Sequence, residues 1–514
     1  MERKSKMKNN AKTNFQSSFL DKGSKPSITL GNLRIAPYDV ERILDVKINQ
    51  AINEHGTLYF RGMLPAGQEE RDIEAYTEGE NIILMTNDSS GEHILFQGII
   101  QEVVVKFIEH TYYIEVHAVS YSYLLDIEPR CYSFQNKKQT YSDLISQITS
   151  RYPDADVLDM ASDGQMTNQF LMQYRETDWL FIKRLASHFN TGLIPDVRFD
   201  SPKYFFGIPD APAVPLNPLN YTVSKDLKRF KQLSKNGISD LQENDFICYE
   251  VETNQALQVG DRVSFRERTY HVGSVDGRME KGIFLNRYTL ISKQGLSQPY
   301  QAHGEISGCS FNGRIIDIKN DRVKVHFDVD PSQDVETAHF FPYSTVYSSP
   351  DGSGWYAMPC KGDNVRIYFP DGDDSHAYAI SSVHEPSTPP ANHQASEGSG
   401  SSGGSGATPP PSGAARDNPD IKSLRHPSGK EITLTEDGIY ITDGVGTVIS
   451  ITEEGVVIDC EKDIKFNSDQ DIVMMAKEQI QFVAEESVEI YAGDTASIRL
   501  EEDVEIMGQE VKSN

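Results

Sequence analysis

Ile464-Lys465-Phe466, Ile472-Val473-Met474, Ile480-Gln481-Phe482 and Val488-Glu489-Ile490 decide how the end of this chain is built: an apolar pair around one residue returns every eight positions. Turn residues separate the pairs, among them Ser468-Asp469-Gln470, Glu485-Glu486 and Gly493-Asp494. Spacing of i, i+2 is a strand period that sends both side chains of a pair to one face. One octad cannot stand alone. Burying two large side chains yields roughly 3–6 kcal/mol, whereas ordering eight backbone residues costs roughly 8–16 kcal/mol. The octads therefore have to stack on others, and the segment reads as a rod.

Looser copies extend it at Ile432/Leu434, Ile439/Ile441, Ile449/Ile451 and Val456/Ile458 on one side, and at Ile498/Leu500 and Val504/Ile506 on the other. One chain coiling about ten such strands three to a turn makes only about three coils with two open edges. Three chains winding together add one layer of ~4.8 Å per strand, a prism roughly 50 Å tall. The arithmetic favours a homotrimeric, triple-stranded β-helix (a β-prism), its core packed by Ile464, Phe466, Ile472, Met474, Ile480, Phe482, Val488 and Ile490. A self-contained solenoid capped by another protein is the alternative.

The 514 residues carry a net charge of −27, and residues 428–514 hold 21 Asp and Glu against 6 Lys and Arg. Such a segment is unsuited to phosphate, so no nucleic-acid partner is expected. The acids read as the solvated outside of the rod. Cys131, Cys248, Cys309, Cys360 and Cys460 show no metal spacing and read as free thiols of a reducing cytosol. The basic start, Met1 to Asn10, precedes no apolar stretch, so synthesis in the cytoplasm without a secretory signal is expected, and no segment is apolar enough to span a bilayer.

The rest is mainly β with a small helical insert. Residues 1–26 read as a disordered tail. Residues 27–300 hold two sets of short strands suited to small barrels, interrupted by an insert at about 139–192. The insert contains an amphipathic helix, Tyr141–Arg151, and a second, Trp179–Phe189, capped by Thr177-Asp178, with Leu180, Ile182, Leu185, Ala186 and Phe189 on its apolar face. Five strands in 304–385 suit an OB-fold barrel. Residues 386–425, rich in Gly, Ser and Pro, form a linker, and the rod occupies 426–510.

This order resembles the VgrG-type spike proteins of contractile injection systems, and the baseplate hub plus central spike of contractile phage tails. The stretch Gln173 to Ala186 resembles the family's helix motif, matching at Gln173, Glu176, Asp178, Phe181, Arg184 and Leu185. Val259-Gly260-Asp261-Arg262-Val263 with Tyr270-His271-Val272 resembles the closing strands of its second tube-type barrel. Asp321 to Phe327, Trp355, Gly362-Asp363 and Phe369 to Asp373, including Gly372, follow its OB module. The resemblance implies a homotrimeric hub of two tube-type barrels per chain, pseudo-sixfold beneath a hexameric inner tube. Baseplate proteins would surround it, an OB neck would follow, and a needle would contact the target membrane transiently on injection. The long glycine-rich linker departs from a rigid axial coupling. No C-terminal enzyme extension is evident, and no His-x-His tip motif is present, which leaves the point to a separate PAAR-like tip protein or effector cargo. The expected place is a phage tail-like particle or injection apparatus.

No catalytic, cofactor or metal residues are expected. Gly400-Ser401-Ser402-Gly403-Gly404 matches a nucleophile elbow only formally, since it lies in linker. Asp328 to Glu336 lacks the glycine and terminal glutamate of an EF-hand. Asp371, Asp373 and Asp374 read as a turn. The rivals are a cell-wall glycan hydrolase or lyase, acting through carboxylates such as Asp371–Asp374, and a receptor-binding tail fibre.

Overall fold

The computed structural model describes residues 28–29, 31–65, 80–88, 91–345, 358–381, 420–426, 428–486, 488–492 and 496–500. The expectations for the 1–26 tail, Trp355, Gly400–Gly404, Val504/Ile506 and most of the linker lie outside these residues. The chain is mainly β and divides into two units, Met1–Pro386 and Ser387–Asn514.

The first unit begins with six strands: β1 (Leu33–Ala36), β2 (Arg42–Ala51), β3 (Thr57–Met63), β4 (Asn81–Asp88), β5 (Gly91–Ile108) and β6 (Thr111–Ser120). Alternation builds them: Val46, Ile48, Leu58, Phe60, Ile114 and Val116 point inward to one core while their neighbours face out. A second lobe contains β12 (Val214–Pro215), β13 (Asn220–Lys225), β14 (Ile247–Thr253), β15 (Arg262–Phe265), β16 (Arg268–Glu280) and β17 (Ile283–Ile291) around its own core of Val251, Val263, Val272, Tyr288 and Leu290. The first lobe runs β1-β4-β5-β6-β3-β2 and the second β12-β15-β16-β17-β14-β13, the same order twice. Antiparallel pairing of β2 with β16 joins them into one twelve-stranded sheet.

Between the lobes lies the insert: β7 (Arg130–Phe134), α1 (Tyr141–Thr149), β8 (Asp156–Asp159), β9 (Leu171–Glu176), α2 (Asp178–Ser187), β10 (Leu193–Pro195) and β11 (Lys203–Phe206). Thr140 and Thr177 cap the helices, accepting from the backbone N–H groups of Asp143 and Leu180. One helical expectation is corrected: Leu180 is 42 % exposed, not on the apolar face. The face that packs inward is set by Trp179, Phe181, Ile182 and Leu185, which turns Leu180 and Lys183, one turn apart, away from it. A further helix, α3 (Leu227–Lys235), follows β13.

The unit closes with β18 (Ser310–Lys319), β19 (Arg322–Phe327), β20 (Phe340–Pro342), β21 (Asn364–Tyr368) and β22 (Tyr378–Ser381), in the order β20-β19-β18-β21-β22. A bridge from Tyr343 to Ala379 brings the two ends of this sheet together.

The second unit contains a meander of β23 (Lys422–Arg425), β24 (Glu431–Leu434), β25 (Gly438–Thr442), β26 (Thr447–Thr452) and β27 (Gly455–Cys460), then a hairpin of β28 (Val488–Ala492) and β29 (Ala496–Leu500). Its register aligns two apolar columns on one face. Leu424, Ile432, Ile441, Ile449 and Ile458 form one; Leu434, Ile439, Ile451 and Val456 form the other. Here the structure departs from strands that each add a layer to a three-chain winding: these pair in sequence order within one chain, because turns such as Glu453-Glu454 are short enough to fold each strand back on the last. The octads behave differently. No strand is assigned among the described residues from 461 to 486, and Ile464, Phe466, Ile472, Met474, Ile480 and Phe482 are each 48–66 % exposed.

Candidate functional site

The motif residues Gln173, Glu176, Asp178, Phe181, Arg184 and Leu185 converge on a buried ionic seam between the insert and the five-stranded sheet. Strand β9 and helix α2 meet at Thr177, so residues on either side of this cap face each other. Arg184, 4 % exposed, donates from Nε to Glu176 Oε1 at 2.9 Å and from Nη2 to Glu176 Oε2 at 2.9 Å. Its Nη2 also donates to the Met172 carbonyl at 2.6 Å, and Nη1 to Asp374 Oδ2 at 3.1 Å. Asp374 accepts in addition from the Met172 N–H at 3.0 Å. Burial disfavours the charged guanidinium, but Asp374 and Glu176 outweigh it and hold the Arg184 pKa above its usual value.

A second node centres on Asp178, also fully buried. It accepts from Arg151 Nη1 at 2.8 Å, Tyr152 Oη at 2.8 Å and Gln173 Nε2 at 2.9 Å, with Arg130 Nε at 3.4 Å. Burial and this carboxylate push the Tyr152 phenol up to about 12. Phe181 carries the Arg184 guanidinium 5.1 Å above its ring and stacks on Phe134, while Leu185 fills the insert core.

Apolar contacts follow the same seam. Phe170 and Met172 leave the insert and enter the core of the five-stranded sheet, where Phe170 meets Phe327, Phe341 and Phe369. Asp330 accepts from the Ser133 N–H at 2.9 Å and its Oγ at 2.5 Å, and Gln135 bonds Val325 O and the His339 N–H. Asp330 thereby ties the five-stranded sheet to the insert. These partners clamp the two elements together.

In the five-stranded sheet, Gly362 holds a left-handed turn at φ 91°, and Asp363 accepts from the Cys360 N–H at 2.7 Å. Gly372 lies against the His303 backbone, its carbonyl accepting the His303 N–H at 3.0 Å; a Cβ there would meet His303 O at 3.0 Å. Asp373 accepts from the Ser375 N–H and Oγ within its own turn. The residue of this loop that reaches the seam is Asp374, which the motif comparison did not single out. Nothing in a run of three acids in four positions distinguishes the one that turns inward.

Ser122, His55 and Asp126 also meet, with 2.8 Å from His55 Nδ1 to Ser122 Oγ and 3.2 Å from Nε2 to Asp126 Oδ2. Their wide separation in sequence hid them. Ser122 is only 2 % exposed and its Oγ also bonds Ser120 Oγ. Burial raises the Asp126 pKa, but hydrogen bonds from His55 and Thr177 outweigh it and leave it lowered. The trio ties the β2–β3 turn to the segment that follows β6, and Asp126 reaches the insert through Thr177. Among the described residues no group of three or more His, Cys, Asp or Glu is placed to hold a metal ion.

A chain of the Francisella PdpA-VgrG complex in its half-lidded form is 9 % identical, with a TM-score of 0.51 over 87 % of this chain and 90 % of that one. The lidded form gives 0.50 at 9 % identity, over 84 % and 80 %. The fold is that of a VgrG-type spike protein. An E. coli protein described as a component of the type VI secretion system, with structural similarity to the T4 bacteriophage tail proteins gp27 and gp5, matches at 13 % identity over 68 % of this chain and 98 % of that one, with a TM-score of 0.49. No protein-family model matches the sequence, and no curated protein sequence matches it significantly.

Proposed function

We propose that this chain is the structural hub and spike of a contractile injection apparatus, working as a homotrimer and without catalysis. The two lobes form tube-type barrels in a pseudo-sixfold ring under a hexameric inner tube, held by baseplate proteins. The five-stranded sheet is the OB neck, and the second unit is the needle that punctures the target envelope on sheath contraction. A separate tip protein or an effector rides at its end; the VgrG of the Francisella complex assembles with PdpA.

The observation that supports this reading best is the apolar surface of the second unit. Two columns of Ile, Leu and Val on the meander, and the octad pairs beyond them, lie largely exposed in the single chain. A soluble monomer seldom leaves so much contiguous apolar surface in water. At roughly 25 cal/mol per Å2, covering it with two further copies supplies the stabilisation that each octad lacks alone. The shared fold supports the rest of the assembly. Among the described residues no helix is long and apolar enough to cross a membrane.

Light scattering on the full chain tests the proposal. The expected mass is three times 57.6 kDa, and a mass of one chain refutes it. Release of sugar from peptidoglycan by the purified protein, lost on changing Asp371 and Asp373, would instead establish the hydrolase.

A further inference from the structure

We infer, building on the three-chain reading, that strand β13 of one copy pairs antiparallel with the second half of β5 in the next copy, with Val223 opposite Val105. The template is inside the chain. The two lobes share one strand order; β2 to β6 correspond in turn to β13 to β17, while the first strands differ in direction, β1 running antiparallel to β4 and β12 parallel to β15. Finer details agree. In the β5–β6 hairpin the register slips at Gln101, between Ile100 and Glu102; in β16–β17 it slips at Gly273, between Val272 and Ser274. Aligning these two bulges also aligns the closing pairs Ile108–Thr111 and Glu280–Ile283. The connecting residues then coincide, Glu109-His110 and Lys281-Gly282, all four at positive φ as such a two-residue turn requires.

The lobes are joined where β2, second strand of the first, pairs with the second half of β16, fifth strand of the other, with Ile48 opposite Gly277. The corresponding strands in the opposite lobes, β13 and the second half of β5, carry no such junction within the chain. Strand β13 is the end of the sheet and all six of its residues are exposed. Among the described residues, no strand borders β5 from Gln101 to Ile108 on the side away from β6. Carrying the alignment through β6 and β17, then β3 and β14, sets Val223 where Ile48 stands and Val105 where Gly277 stands. The outer junction then pairs Val103 with Lys225, Val104 with Ser224, Val105 with Val223, Lys106 with Thr222 and, extended by one, Phe107 with Tyr221.

Three independent features fit that register. The ladder alternation fixed by the Asp226 N–H to Phe246 O bond turns the backbone polar groups of Tyr221, Val223 and Lys225 to the free edge. The two-residue hairpin does the same for Val103, Val105 and Phe107. Val103 and Val105 face the first lobe's core and the Tyr221 ring meets Phe265, so the opposed residues lie on the inner faces of both lobes. Finally, Phe107, Tyr221 and Val223, 49–58 % exposed in one chain, become mutual neighbours. Because β13 and β5 are different surfaces, the contact is head-to-tail and repeats until it closes a ring. Three chains then give six lobes with one kind of seam, alternately within and between chains.

The full-length Val104→Cys/Ser224→Cys variant tests the register. These residues form a non-hydrogen-bonded pair about 4.5 Å apart at Cα, within the range a disulfide spans. Mild oxidation with diamide is expected to link most chains into covalent dimers and trimers on a non-reducing gel. Wild type, the single variants and Val104→Cys/Val223→Cys, which places its thiols on opposite faces, are expected to stay unlinked. A three-chain mass with no linkage overturns the strand pairing and leaves the trimer standing; a single-chain mass overturns both. Hydrogen exchange on the unaltered trimer is the second readout. Slow exchange at Val105 and Val223 supports the pairing, and exchange as fast as in an open edge strand refutes it even if the cysteine variant misfolds.

Discussion

Replacing Arg184 by Met removes the charge that two buried carboxylates share while keeping an apolar stem of similar length. Glu176 loses a two-pronged partner, Asp374 its only basic partner among the described residues, and the Met172 carbonyl a donor at 2.6 Å. Leaving buried charge uncompensated costs about 3–5 kcal/mol, a large share of the stability of an ordinary domain. The loss belongs to the seam, so the five-stranded sheet should detach from the insert before either lobe unfolds. Trp179, 2 % exposed beside the seam, is one of two tryptophans, and a Trp355→Phe background isolates its fluorescence. Urea titration followed by Trp179 should show a lower midpoint for Arg184→Met, with earlier proteolytic release of residues 304–385. The double variant with Asp374→Asn should be less destabilised than the sum of the singles, because the second change removes one stranded charge. A loss below about 1 kcal/mol, or strict additivity, refutes the shared-charge account.

Acid should weaken the first unit. Burial, reinforced by Arg184, lowers His188 to about 4, and burial with Lys137 and Arg322 lowers His339 to about 3. The unfolded chain takes up these protons first, near 6.5, so their stability is fully present above that pH and is lost as pH falls towards 4. Each contributes a slope of up to about 1.4 kcal/mol per pH unit; urea midpoints between pH 7 and 4.5 should fall, and His339→Phe should flatten the decline. Phe170→Ala should cost about 3–5 kcal/mol, read as an earlier thermal transition with the lobes' strand signal retained by circular dichroism. Ile480→Asp places a charge among three chains at once, so light scattering should show a smaller three-chain fraction at a given protein concentration; an unchanged fraction contradicts the octad register.

Period carried most of what the chain revealed before folding. The change from period two to period 3.6 at Tyr141 marks the insert because both signals are local, and Thr177 marks its cap for the same reason. Leu180 escaped because four apolar residues in a row, Trp179 to Ile182, leave the inward face of an α-helix ambiguous until a neighbour chooses it. The motif from Gln173 to Leu185 was visible as a pattern, yet its purpose depends on Asp374, about 190 residues away, and no local signal pairs them. The repeated lobe order was equally hidden, since it resides in strand pairing and in two bulges rather than in matching residues. In the rod the apolar columns followed the expected i, i+2 pairs, while the direction of pairing from β23 to β27 was decided by turn length.

The acidity of residues 428–514 has a kinetic consequence for the exposed apolar columns of the second unit. Each chain carries 21 acidic and 6 basic side chains over this segment, so in the proposed three-chain assembly the copies would converge against mutual repulsion over a Debye length of about 8 Å at physiological ionic strength. Salt should therefore accelerate association while leaving the apolar contacts that follow little changed. In dilute solution newly made chains are held apart and their Ile and Phe surfaces kept from premature clumping. On the proposed assembly, local concentration at a growing particle would overcome the barrier, so the same charges would also set when and where the second unit associates.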